Sequence, residues 1–186
     1  MIGRRVALFA AAVVPALFVV AIVGLVLARI FLFGLSRIPQ NGMYPNLPAG
    51  TQVITYRSAY RKAEDVKRGD IVVFWRVVEG IRYKFIWRAV GLPGERVEIR
   101  SGHLSVNGTA ARYTRVTNDQ IYRESIGRES YNISLQAPDT PIPDVSVVVP
   151  SGEIFVLGDN RSHAVDSRSF GPVPFQAIVG KAVFSW

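Results

Sequence analysis

The chain has 186 residues, 49% of them apolar, with 22 basic against 14 acidic side chains and no cysteine. The lack of cysteine excludes disulfide staples, thiolate nucleophiles and cysteine–zinc sites, and with only His103 and His163 a histidine-built metal centre or a serine–histidine triad is poorly supplied. Ten Phe, seven Tyr and three Trp exclude a disordered chain, so we expect one medium domain, with no metal and no cofactor.

Residues 6–28 carry no charge. As a helix this stretch is about 35 Å long, enough to cross a ~30 Å hydrocarbon core. It is also longer than the ~7–15-residue apolar region of a cleaved signal peptide. We therefore expect residues 1–35 to be a single membrane anchor. Arg4 and Arg5 precede the span and Arg29 and Arg37 follow it; the N-terminus is expected inside the cell and the bulk of the chain extracytoplasmic. Beyond the anchor, residues 36–186 keep 19 basic and 14 acidic side chains. Beside a membrane, such a surplus points to anionic lipid as the partner rather than nucleic acid.

From Ile38 onward, short β-branched and aromatic runs alternate with Gly, Pro and Asn, the pattern of strands and turns. The expected strands are Gln52–Tyr56, 70–76, 81–90, Arg96–Arg100, His103–Val106, 146–149, Glu153–Leu157 and 177–184, with a short helical turn within 59–66. Asn107-Gly108 suits a tight hairpin, and Leu92-Pro93-Gly94 marks an abrupt strand end. Residues 107–145 are more polar and close on Pro138, Pro141 and Pro143. They read as an inserted cap on a core made of 36–106 and 146–186. The expected fold class is all-β and mostly antiparallel.

Four blocks stand out in order. The first is Ile38-Pro39-Gln40-Asn41-Gly42-Met43-Tyr44-Pro45, read as an irregular, exposed turn. Arg68-Gly69-Asp70-Ile71-Val72-Val73-Phe74 follows, and then Ile86-Trp87-Arg88-Ala89-Val90-Gly91-Leu92-Pro93-Gly94-Glu95. The last runs from Gly158-Asp159-Asn160-Arg161 through Asp166-Ser167-Arg168 to Gly171. Asp159, Asn160, Arg161, Asp166, Ser167 and Arg168 form a structural loop whose charges can neutralise one another. In order and spacing these blocks resemble the type I signal peptidases, membrane-bound serine–lysine proteases that remove signal peptides. The resemblance implies a signal-peptidase-like β body.

It also implies where catalysis belongs. In the resembled family the first block reads Ile-Pro-Ser-Gly-Ser-Met, and the serine before Met is the nucleophile. That position here is Gly42, and the serine that completes the oxyanion hole corresponds to Gln40. The general-base lysine corresponds to Trp87, and a serine that orients it corresponds to Ala164. A serine–lysine protease needs a hydroxyl and an amine freed of its proton by burial; neither position supplies one. Ser36 lies six residues before Gly42, up to ~20 Å of extended chain. Lys84 lies three before Trp87, an odd offset that points it to the other face of a strand. Arg88 stays protonated and cannot act as a base. Trp87 reads best as a core aromatic. The apolar substrate pockets implied by the resemblance, at Ile38, Pro39, Met43, Phe85 and Ile86, are kept.

The expected function is therefore a membrane-tethered, signal-peptidase-like protein that has lost proteolysis and binds signal-peptide-like or exported segments, or a partner protein. One rival is a working peptidase with relocated catalytic residues; another is an accessory subunit that docks on an active peptidase paralogue.

Overall fold

The structure is a computed structural model, which describes residues 2–135 and 144–186, with side chains from residue 17 onward. It divides into two compact units, Met1–Gly34 and Leu35–Trp186. The first is helix α1, Ile2–Leu32. The expected span 6–28 falls on this helix, and its side chains before residue 17 lie outside the described residues. Among the described residues no helix is long and apolar enough to cross a membrane.

The second unit is built of antiparallel strands. One seven-stranded sheet runs β1-β2-β14-β3-β4-β12-β13. Its members are β1 (Phe33–Arg37), β2 (Gln52–Tyr56), β3 (Ile71–Val78), β4 (Ile81–Gly91), β12 (Glu153–Leu157), β13 (Val173–Pro174) and β14 (Ile178–Ser185). A four-stranded sheet, β11-β5-β6-β7, joins β5 (Arg96–Arg100), β6 (His103–Val106), β7 (Thr109–Ala110) and β11 (Val145–Val148). A three-stranded sheet, β10-β9-β8, holds β8 (Arg112–Arg115), β9 (Ile121–Ile126) and β10 (Glu129–Ser134). The expected helical turn is a single 3-10 turn, Ala63–Asp65. The Asn107-Gly108 hairpin joins β6 to β7, with both residues at positive φ, as a tight two-residue turn demands.

Strand β12 explains how the unit is organised. Its run Ile154-Phe155-Val156-Leu157 is buried on both faces, and successive side chains point to opposite sides of a strand. Ile154 and Val156 pack with Val53, Val72, Phe74, Trp87 and Ala89 in one core. Phe155 and Leu157 pack with Val90, Val97, Ile99, Leu104, Val106, Ile126 and Ile133 in a second. The β4–β12 pair is thus the wall between two cores. The stretch 107–145, expected as an inserted cap, contributes Ile126, Tyr131 and Ile133 to that second core alongside residues 97–106. Its strands β8, β9 and β10 form a sheet of their own, separate from the seven-stranded one. Its proline-rich close, 136–143, lies outside the described residues.

Gly91 ends β4 opposite Phe155, against the second core. A Cβ there would lie 2.4 Å from Val97 Cγ2 and 2.9 Å from Phe155 Cβ. Overpacking of this kind costs about 1–3 kcal/mol, so Gly91→Ala is expected to lower Tm by about 2–10 °C. An unchanged Tm in a thermal melt would show that Val97 moves aside freely.

Candidate functional site

Segment 38–50 returns on itself. Ile38 N–H donates to Thr51 O at 2.9 Å and Gly50 N–H to Ile38 O at 2.8 Å. Leu47 N–H donates to Met43 O at 2.9 Å, and Met43 and Leu47 are both buried. The exposed turn expected at Met43 is therefore corrected: its side chain is pulled into the first core, where an apolar thioether is stabilised by leaving water. From the other side, Asn160 fixes the turn, its backbone N–H donating to Gly42 O at 3.0 Å and its Nδ2 to Asn41 O at 3.1 Å.

The indole of Trp87 lies against Gly42. A Cβ built on Gly42 would fall 2.2 Å from Trp87 Cη2 and 2.5 Å from Cζ3, so at residue 42 the ring occupies the space of any side chain. A Cβ on Gly158 would lie 2.2 Å from Ala164 Cβ, 2.7 Å from Gly42 O and 3.2 Å from Trp87 Cζ3. Gly42, Gly158 and Ala164 therefore leave the room that the indole fills. Trp87 is 2% exposed, with Phe85 tilted against it at 6.2 Å between centroids. Its Nε1–H is buried, with no hydrogen-bond partner among the described residues.

Beside this contact lies a cavity of about 240 Å³. It is lined by Ile38, Pro39, Gln40, Met43, Tyr83, Lys84, Phe85, Ile86 and Trp87. All five pocket residues expected from the sequence meet there, with Gln40 and Trp87; Ala164 packs on the first core beyond. One wall is an open strand edge. β4 pairs with β3 along its length, from Val78↔Ile81 to Ile71↔Arg88, whereas β12 pairs with it only at Arg88, Ala89 and Gly91. Among the described residues, 83–87 have no strand on that second side.

Lys84 was expected to point away from Trp87, and its register partner across β3 is indeed Trp75 rather than a core residue. Both Lys84 and Trp87 nonetheless border the cavity. Lys84 Nζ lies 3.3 Å from Ser36 Oγ and 5.2 Å from the Trp75 ring centroid. The Ser36–Lys84 pair was not foreseen, because it depends on where β1 comes to lie and not on spacing along the chain.

The charged loop holds the site from behind, with partners other than those expected. Only Asp166 and Arg168 neutralise one another within it, Nη2 to Oδ2 at 2.7 Å; Asp166 also accepts from Gly158 N–H at 3.0 Å. Ser167 Oγ accepts from Val156 N–H at 3.0 Å. Asp159 instead takes both Nε and Nη2 of Arg88, at 2.7 and 2.6 Å, and Asn46 Nδ2 at 2.7 Å. Arg161 reaches Glu124 of β9, at 2.5 and 2.7 Å, a residue the sequence reading passed over. Tyr113 and Tyr131 hydroxyls donate to the same carboxylate at 2.8 and 2.9 Å. Burial works to raise the Glu124 carboxyl and the three cognate donors outweigh it, with the Arg161 charge foremost, so it sits below the usual carboxylate range. The two phenols beside it are pushed up, chiefly by burial.

Residues 9–186 match the family described as "Signal peptidase, peptidase S26". The chain belongs to the signal peptidase family. It is 30% identical to signal peptidase I of Pseudomonas fluorescens over 92% of this chain and 69% of that protein. It is 31% identical to signal peptidase I T of Bacillus subtilis over 89% of this chain and 80% of the relative. A crystal structure of a signal peptidase I from Enterococcus faecalis, 29% identical, aligns over 63% of this chain and 97% of the other, with a TM-score of 0.40.

Proposed function

We propose that this chain is a non-proteolytic member of the signal peptidase family, anchored by residues 1–35 in the cell membrane, with its body extracytoplasmic, that binds extended signal-peptide-like or exported segments without cutting them. The observation that carries this reading is the Gly42–Trp87 contact. If these residues stand where the family keeps its nucleophile and base, neither a hydroxyl at 42 nor an amine at 87 is available. The indole also fills the space in which the two would meet. The adjoining cavity and the open edge of 83–87 suit a peptide laid down as an added strand, with alternate side chains in pockets. The run without charge at 6–28 and the exposed apolar side chains of α1 from Leu17 to Leu32 support the anchor.

A second reading rests on the Ser36–Lys84 contact: a displaced serine–lysine pair at the mouth of the same cavity, giving a working peptidase. Incubation of the detergent-solubilised protein with a preprotein, with mass spectrometry of the products and calorimetric titration of the signal peptide alone, separates the two. The first reading expects saturable binding and an intact preprotein. Cleavage that is lost in both Ser36→Ala and Lys84→Ala would establish the second. No binding, with capture of an active peptidase instead, would make the chain an accessory subunit.

A further inference from the structure

A second cavity, of about 540 Å³, opens on the other face of β4. Trp87 lines the first cavity and Arg88 this one, because neighbouring residues of a strand point to opposite faces. Its walls come from three parts of the body: β4 supplies Arg88, the β9–β10 pair supplies Arg123 and Ser130, and β14 supplies Ser185. Arg123 stands opposite Asn132 in the β9–β10 register, so Ser130, two residues from Asn132, shares its face of the sheet.

The charges in this cavity do not balance. Arg88 is neutralised: Asp159, 0% exposed, takes its Nε and Nη2, and Gly69 O takes its Nη1. Arg123 is exposed and enters none of the ion pairs among the described residues. No carboxylate among the described residues lines the cavity. Glu129, next to Ser130 in the chain, falls on the other face of β10 and lies against Gly69. The polar side chains that remain are rich in donors. A guanidinium offers five N–H groups and accepts nothing. Ser130 Oγ accepts from Ser125 Oγ at 3.1 Å and keeps its own proton to give. Leu47 and Ile71 add an apolar flank. One uncompensated cation, donors from separate strands and an apolar flank suit an anion with several oxygens, carried on a small organic group. Arginine holds phosphate in this way, through parallel N–H···O bonds.

We propose that this cavity binds an organic phosphate, with Arg123 gripping the phosphate oxygens, Ser130 and Ser185 as further donors, and Leu47 and Ile71 against the short carbon skeleton. A soluble glycerol phosphate and the headgroup of an anionic phospholipid share this chemistry. The site does not rest on the peptide binding proposed above, which uses the opposite face of β4.

The test uses the full chain in maltoside micelles, which contain no phosphate, at low ionic strength, where charges are weakly screened. Calorimetric titration with glycerol 3-phosphate is expected to saturate at a single site per chain, whereas glycerol and acetate do not bind. Arg123→Gln is expected to bind about 10- to 100-fold more weakly, the span of a hydrogen bond to a charged group. Its Tm should hold, because the side chain is exposed. Arg112→Gln removes the same charge from an exposed position on neighbouring β8, outside the cavity, and is expected to bind as the unmodified chain does. Phosphatidylglycerol added to the micelles separates the sources: displacement of glycerol 3-phosphate assigns a lipid headgroup, and a lack of displacement assigns a soluble phosphate. Undiminished affinity in Arg123→Gln, an equal loss in Arg112→Gln, or no saturable binding of glycerol 3-phosphate would each overturn the inference.

Discussion

A preprotein incubated with the unmodified chain is expected to remain whole, and the Gly42→Ser/Trp87→Lys double variant is expected to cut it. Loss of a nucleophile or base costs serine hydrolases about 10⁴–10⁶ in turnover, so even weak restored activity stands clear of the background. The geometry makes the two replacements interdependent. Gly42→Ser alone drives a Cβ to 2.2 Å from the Trp87 ring, and overpacking by such a contact costs about 1–3 kcal/mol. Trp87→Lys alone empties an indole from the core, where comparable truncations cost about 3–5 kcal/mol. In the pair, serine takes space the indole has vacated, so the two costs do not add. The introduced lysine enters a position 2% exposed, where desolvation lowers an amine's pKa as a general base needs. Thermal melts of both single variants and the double, beside mass spectrometry of the products, read the stability and the chemistry separately. A folded double variant that binds signal peptide and leaves the preprotein intact would show that Gln40 and Ala164 matter as much as the first two positions.

Arg161→Met is expected to be among the most destabilising single changes in the body. It strands the Glu124 carboxylate, 0% exposed, with two phenols and no countercharge. Breaking a buried pair from one side costs about 3–5 kcal/mol, a fall in Tm of about 6–20 °C. Glu124→Gln strands the guanidinium in the same way. The Glu124→Leu/Arg161→Met double variant recovers most of the loss, because two apolar groups of similar bulk need no pairing. A double variant as unstable as Arg161→Met would show that Tyr113 and Tyr131 depend on the carboxylate for their own satisfaction.

The same pair sets a pH dependence. In the unfolded chain the Glu124 carboxyl titrates at its ordinary 4.5, and in the folded protein below that. The unfolded state therefore binds the proton first as pH falls. The stabilisation is fully present above about pH 4.5 and drains away below it until the folded carboxyl protonates. Melts between neutral pH and about pH 3 should show this slope, and Glu124→Gln should flatten it; an equal slope in that variant would assign the acid sensitivity to other carboxylates.

Much of the β body is legible along the chain. Gln52–Tyr56, Arg96–Arg100, His103–Val106 and Glu153–Leu157 are strands to the residue. Their alternation and bounding turn residues are local signals that need no knowledge of neighbours. That Ile38, Pro39, Met43, Phe85 and Ile86 lie together along one cavity follows a different signal, a resemblance carried by the blocks at Ile38 and Trp87. What spacing could not reveal was pairing. Arg161 finds Glu124 37 positions away, and Asp159 finds Arg88 71 positions away, although each had oppositely charged neighbours within its own loop. A rigid loop backbone turns adjacent side chains in different directions, and each settles in whichever buried site supplies its full set of hydrogen bonds.

The sequence by itself determined the strand content, the family, and that positions 42 and 87 hold a glycine and a tryptophan. Only the tertiary structure decided that these two residues fill one space, that Ser36 meets Lys84, and that β4 and β12 divide two cores. Strand identity follows from interactions between near neighbours, which any window of the chain contains. Contact between Gly42 and Trp87 requires a turn and a sheet edge to be brought together by the folding of the whole body, and no window contains that.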